Sequence, residues 1–165
     1  MPPLAVRRAQ AILAGIGAPV TPGGVAILVA WQACEGGPAT RHNPLNTTLP
    51  MPGSFAINSQ GVQAYPTEAE GITATVQTLQ NGLYPQIVSA LRSGQPAAFL
   101  DAQGEIQTWG TDPQCIAQRL GMPLPGSGGV LGQIGQAAGR VPRWVAVTVI
   151  GVPLAAIILD DLRRL

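Results

Sequence analysis

The chain has 165 residues, of which 46% are apolar and only 10% charged, and its net charge is +1. That length suffices for one domain with a core of its own and an appendage. Nine basic residues, all arginine, face eight acidic ones. They create no basic field, which argues against a nucleic-acid partner.

A single histidine, His42, and the lack of any CxxC or HExxH spacing leave no metal-ligand cluster. Nothing in the sequence implies a cofactor. Arg7 and Arg8 precede a weakly apolar stretch that Gly15, Gly17 and Pro19 interrupt, so the N-terminus does not read as a signal peptide. The two cysteines, Cys34 and Cys115, fit either one disulfide or two buried thiols.

In chain order, residues 5–15 predict a first helix, with Val6, Ala9, Ile12 and Leu13 at helical spacing. "GAPVTPGG" breaks it. Thr21 then offers an N-cap and Pro22 a first helical residue for a second helix over 22–34. Ile27, Leu28, Trp31 and Cys34 form its inward stripe, and Gly36 with Gly37 ends it. Residues 38–65 are rich in turn formers and predict a small irregular β lobe. Strand-like pieces lie at 54–58 and 62–65, joined by "NSQG".

Thr67 with Glu70 makes a capping box for a third helix, ending near Gly82, with Ile72, Val76 and Leu79 as its apolar face. Residues 84–94 predict a short helix with Ile87, Val88 and Leu91 inward. Residues 95–110 read as helix at first and then as loop or strand, with Asp101 and Glu105 flanking a turn. Asp112 caps a last helix that ends at Gly121. The fold class is therefore mainly α with a small β lobe.

Residues 122–142 are rich in Gly, Pro and small residues and read as a linker. Residues 143–165 hold an uncharged apolar run interrupted by Pro153 and flanked by Arg143, Arg163 and Arg164. The run is shorter than a usual membrane span. It reads as a membrane anchor, as an element buried in a larger assembly, or as a segment packed on its own domain.

The stretch "WQACEGG" places Glu35 behind an apolar helix and before two glycines. One reading is an ordinary exposed residue, though a carboxylate at a helix C-terminus is electrostatically disfavoured. The other is a general acid: apolar neighbours and the negative helix end both raise its pKa, so it keeps a proton to give to a leaving oxygen. No Asp or Glu lies between Gly36 and Thr67, and Glu68 and Glu70 are explained by capping. The site is thus built on one acid, or its partner is distant in sequence. Asn43, Asn46, Thr47, Asn58 and Gln63 can hydrogen-bond sugar hydroxyls or N-acetyl groups, or simply stabilise turns. Tyr65, Tyr84 and Trp109 are stacking surfaces or packing.

"WQACEGG", "NPLNTT" and "GSFAINSQGVQAYPTEAEGITATVQTLQNGLYPQIVSALRSG" together resemble the lysozyme-like domains of phage and actinobacterial cell-wall-degrading proteins. These are related in fold to goose-type lysozyme and the soluble lytic transglycosylases. The likeness spans residues 24–110. It implies Glu35 as the general acid, and Gly61, Val62 and Gln63 as a Gly-x-Gln strand element of the sugar cleft. It also implies Asn43 to Thr48 as a cleft wall, and Tyr65 and Tyr84 as recurrent tyrosines, the second near glycan and glutamate. Gly36 stands where the transglycosylases commonly have serine.

The resemblance implies cleavage of the bond between N-acetylmuramic acid and N-acetylglucosamine in peptidoglycan, by a muramidase or a lytic transglycosylase, with the enzyme in a phage particle or the cell envelope. The expected organisation is a lysozyme-like domain over 1–121, a linker over 122–142 and an apolar segment over 143–165 that meets a membrane or virion proteins. The alternative is a virion or membrane-associated structural protein with a vestigial or glycan-binding domain of this fold.

Overall fold

The computed structural model describes residues 1–36 and 41–126. Within these, the chain is mainly helical. Helix α1 (Leu4–Gly15) turns through Ile16–Pro19 into α2 (Pro22–Glu35). A two-residue ladder follows, β1 (Phe55–Ala56) and β2 (Gln63–Ala64), and then come α3 (Glu68–Leu79), α4 (Pro85–Ser93), α5 (Pro96–Asp101), α6 (Gln103–Trp109) and α7 (Pro113–Leu120). The expected linker start at 122 lies on this body: Met122 and Leu124 pack against the core, and Gln103 Nε2 donates to the Pro125 carbonyl at 2.7 Å. The apolar segment at 143–165, most of the 122–142 stretch and Gly37 lie outside the described residues. No helix among the described residues is long and apolar enough to cross a membrane.

Local chemistry explains the boundaries. Thr21 Oγ1 accepts from the Gly24 amide at 3.0 Å, with Pro22 opening α2. Such a cap is worth about 1 kcal/mol. Gly36 closes α2 in the left-handed conformation at φ 62°, which glycine adopts without strain. Thr67 and Glu70 form the capping box of α3. Asp112 caps α7 through the Gln114 amide at 2.9 Å.

The long α2 is the spine. Its Ile27, Leu28 and Trp31 are fully buried and meet Ile12 and Leu13 of α1, Ile87 and Leu91 of α4, Phe99 and Leu100 of α5, and Ile116 of α7 in one core. The disulfide between Cys34 and Cys115 (Cα–Cα 6.0 Å) ties the end of α2 to α7 across 81 residues of sequence. Closing a loop of that length stabilises the fold by about 4.5 kcal/mol in the chain-entropy treatment.

The β lobe is a hairpin in which Phe55 faces Ala64 and Ala56 faces Gln63. Its "NSQG" turn is closed by the Gly61 amide on the Asn58 carbonyl at 3.1 Å. The strands are far shorter than the stretches expected at 54–58 and 62–65. Met51–Ser54 and Tyr65 make turn and loop contacts in place of a longer ladder.

The structure corrects the sequence reading at two further places. Residues 103–109 form α6 and not a loop or strand. Ile106 is buried, Trp109 half-buried, and Glu105 is committed to another helix. On α3 the most buried positions are Gly71, Ala74, Thr75 and Leu79, while Ile72 and Val76 lie at the core's margin. The cause is the close approach of the chain at His42: a Cβ on Gly71 would stand 1.5 Å from the His42 carbonyl oxygen. Glycine at position 71 is what lets that loop lie against α3.

Candidate active site

Glu35 is the last residue of α2, and Trp31 lies one turn earlier on the same face. The indole Nε1 of Trp31 donates to Glu35 Oε1 at 3.1 Å and to Thr111 Oγ1 at 2.8 Å. The Thr111 hydroxyl in turn donates to Glu35 Oε1. On the other side, Asn46 Nδ2 donates to Glu35 Oε2 and to the Glu35 main-chain carbonyl, both at 2.9 Å. It thereby also satisfies one of the carbonyls that a helix end leaves open.

The carboxyl is half-buried, and its pKa is raised from the ordinary 4.5: burial pushes it up, and the hydrogen bonds from Thr111, Asn46 and Trp31 offset only part of this. The negative end of α2 acts in the same upward direction. With Trp31 and Thr111 both on Oε1, Oε2 is the oxygen with a lone pair left for a proton.

Asn46 is held in place from several directions. It adopts φ 52°, a left-handed conformation that asparagine tolerates better than most residues. The Trp109 indole of α6 donates to the neighbouring Leu45 carbonyl at 2.7 Å. Asn43 Nδ2 donates to the Thr47 and Gln63 carbonyls, each at 2.8 Å, and its Oδ1 accepts from the Thr47 amide at 2.9 Å. The Thr47 and Thr78 hydroxyls meet at 2.6 Å.

His42 reaches Glu68 at 3.2 Å, and the buried Arg8 pairs with the same carboxylate. Burial alone would raise the Glu68 pKa, but the hydrogen bonds and charges of Arg8 and His42 outweigh it and hold the carboxyl below its ordinary value.

Among the residues expected from sequence, Glu35 and Asn46 come together directly. Asn43, Thr47, Gln63 and Tyr65 are buried, and their polar atoms are engaged within the protein: Gln63 with Ser54 and Gly61, Tyr65 with the Leu49 carbonyl at 2.7 Å. They build the wall that carries Asn46. Asn58 is exposed in the hairpin turn, where its Oδ1 accepts from the Val62 amide at 3.0 Å. Tyr84 precedes α4, and its ring lies edge-on to Trp109 with centroids 5.0 Å apart. Trp109 meets Trp31 in the same way at 5.1 Å, which joins Tyr84 to the acid through two rings.

Sequence reasoning missed Thr111. It is a lone threonine before a helix cap, and no spacing signal links it to Glu35.

Apart from the exposed Asp101, the remaining acids of the described residues serve structural ends. Glu68 pairs with Arg8, Glu70 completes a capping box, Glu105 accepts from the Gln86 and Ile87 amides, and Asp112 caps α7. No grouping of His, Cys, Asp or Glu that could hold a metal occurs among the described residues. Two shallow surface grooves, one bordered by Leu79, Gly82, Val88 and Arg92 and the other by Gln86, Ser89, Gln95 and Asp101, both lie away from Glu35. The arrangement at Glu35 thus offers one carboxyl primed to carry a proton, with neutral donors around it. Comparison with protein-family models, with curated proteins and with solved structures returns no match for this chain.

Proposed function

We propose that this chain is a lysozyme-like domain that cleaves the glycan strand of peptidoglycan, with Glu35 as its general acid. The observation that supports this most is the half-buried Glu35 carboxyl, whose pKa is raised by burial while Trp31, Thr111 and Asn46, all neutral, fix its orientation. A carboxyl that holds its proton above the usual range can protonate a departing glycosidic oxygen.

In the preferred chemistry, Oε2 protonates the oxygen linking N-acetylmuramic acid to N-acetylglucosamine, and the C1–O bond breaks. The muramic 6-hydroxyl closes onto C1 and returns its proton to the Glu35 carboxylate, giving the anhydro sugar. This route needs no nucleophilic carboxylate, in keeping with the structural engagement of Glu68, Glu70, Glu105 and Asp112. Attack by water gives a reducing end instead.

The test is Glu35→Gln, with retained folding checked by circular dichroism. Release of muropeptides from purified cell walls should vanish. Persisting release would remove Glu35 from this role. Mass analysis of the wild-type products distinguishes the anhydro from the reducing end.

A second reading, a structural or glycan-binding domain of the same fold, draws on the uncharged apolar run within residues 143–165. Sedimentation of the wild-type protein with purified walls, without any muropeptide release, would favour it. Residues 143–165, through which a membrane or virion protein would be met, are part of that proposal.

A further inference from the structure

The disulfide joins the two segments that meet at the Glu35 carboxyl. Cys34 directly precedes Glu35, and Cys115 lies in the first turn of α7, one turn beyond Thr111. Away from this edge, α2 and α7 are held by apolar packing: Ile27, Leu28, Ile116 and Ala117 are buried in the common core. At the edge itself the contacts are polar, buried between Trp31 and Thr111 and half-buried at Glu35, and the bridge is the covalent link across them. Both cysteines are half-buried, within reach of a small reductant.

We propose, building on Glu35 as the acid, that the Cys34–Cys115 bridge positions that acid and that its redox state switches the site. With the bridge intact, the end of α2 stays against Thr111. On reduction, a dithiol delivers two electrons and two protons. The S–S bond breaks, both cysteines become thiols, and the dithiol closes to its cyclic disulfide. The Glu35–Thr111 contact then opens to water while the helical core persists. Such a site is competent in an oxidising compartment and idle in a thiol-rich one.

Trp31, Asn46 and Thr111, which face the carboxyl from α2, from the loop after it and from the segment before α7, are all neutral. The titration of Glu35 therefore reports burial and these hydrogen bonds and not a neighbour's charge. Burial is the largest influence, so water entering on reduction lowers the midpoint more than loss of the Thr111 bond raises it.

The test follows the Trp31 indole N–H resonance of the full chain against pH, assigned with Trp31→Phe. It is measured oxidised, after dithiothreitol, and in the double variant C34A/C115A, with far-UV circular dichroism and muropeptide release in parallel. The oxidised protein should titrate above 4.5. Reduction and the double variant should bring the midpoint down towards that value and cut muropeptide release about a hundredfold, with helical signal retained. An unchanged midpoint on reduction overturns the proposal. So does loss of the helical signal on reduction or in the double variant, because the bridge would then hold the fold and not the site. A midpoint that moves in a protein that never releases muropeptides supports the positioning role and sinks the acid role.

Discussion

Thr111 donates its hydroxyl to the Glu35 carboxyl across 76 residues of sequence and accepts the Trp31 indole N–H on the same oxygen. Its hydrogen bond favours the ionised carboxylate, so it holds the Glu35 pKa below what burial alone would give. Thr111→Val keeps the shape and removes the hydroxyl. The Glu35 pKa should rise further, and the alkaline limb of the muropeptide-release profile should move to higher pH. Stability should fall by about 1 kcal/mol. A limb that stays in place or moves down would show that Thr111 does not tune the acid.

Glu35 also makes stability depend on pH with a defined sign. Its folded pKa lies above the ordinary 4.5 because burial disfavours the charge. Its favourable contribution is therefore complete below 4.5 and is lost as pH rises through the folded pKa. Glu35→Gln should match the wild type in thermal stability at pH 4 and exceed it at pH 8, by roughly 2–4 °C. A glutamine variant less stable than wild type at pH 8 would contradict the buried-acid picture.

How far the sequence reached depends on the kind of interaction. The spine helix was legible because Ile27, Leu28 and Trp31 repeat at helical spacing and Thr21 with Pro22 marks its start. Glu35 stood out through its neighbours in the chain. Thr111 was not legible as a site element, and Trp109 only as a stacking surface or packing, because both act through polar contacts with segments far away in sequence, and such contacts leave no periodic trace. Helix α6 was misread because Asp101, Ala102, Gln103 and Gly104 have turn composition, and tertiary contacts of Ile106, Trp109 and Glu105 override it. Asn43 and Tyr65 looked like ligand contacts because polar and aromatic residue types alone do not distinguish a wall from a surface.

Gly71 tests whether the wall sets the site. A Cβ there would stand 1.5 Å from the His42 carbonyl oxygen and 2.7 Å from its carbon. Backbone atoms cannot swing aside, so the loop that carries Asn46 must lift from α3. Gly71→Ala should lose about 3 kcal/mol of stability and most muropeptide release, as Asn46 leaves Glu35. Gly104→Ala is the contrast: nothing lies within 4 Å of its added Cβ, and a helical glycine replaced by alanine should gain about 0.5–1 kcal/mol. Equal denaturation midpoints for the two variants would discard the close-approach argument.

Glu105 caps a helix to which it does not belong. Its carboxylate accepts from the Gln86 amide at 3.0 Å and the Ile87 amide at 2.9 Å, where α4 begins without a side-chain cap of its own. A negative charge there also complements the helix dipole. Glu105→Gln keeps one acceptor and loses the charge, which should cost about 1 kcal/mol. Tyr84 supplies an independent reading. Burial raises its pKa, and the Glu105 charge raises it further, so the variant should lower the Tyr84 midpoint in an ultraviolet titration. Tyr65 is the internal reference: its phenol is pushed up to about 12 by burial and has no contribution from Glu105, so its midpoint should stay where it is. If both tyrosines move together the change is global. If neither moves, the Glu105 carboxylate is not where α4 needs it.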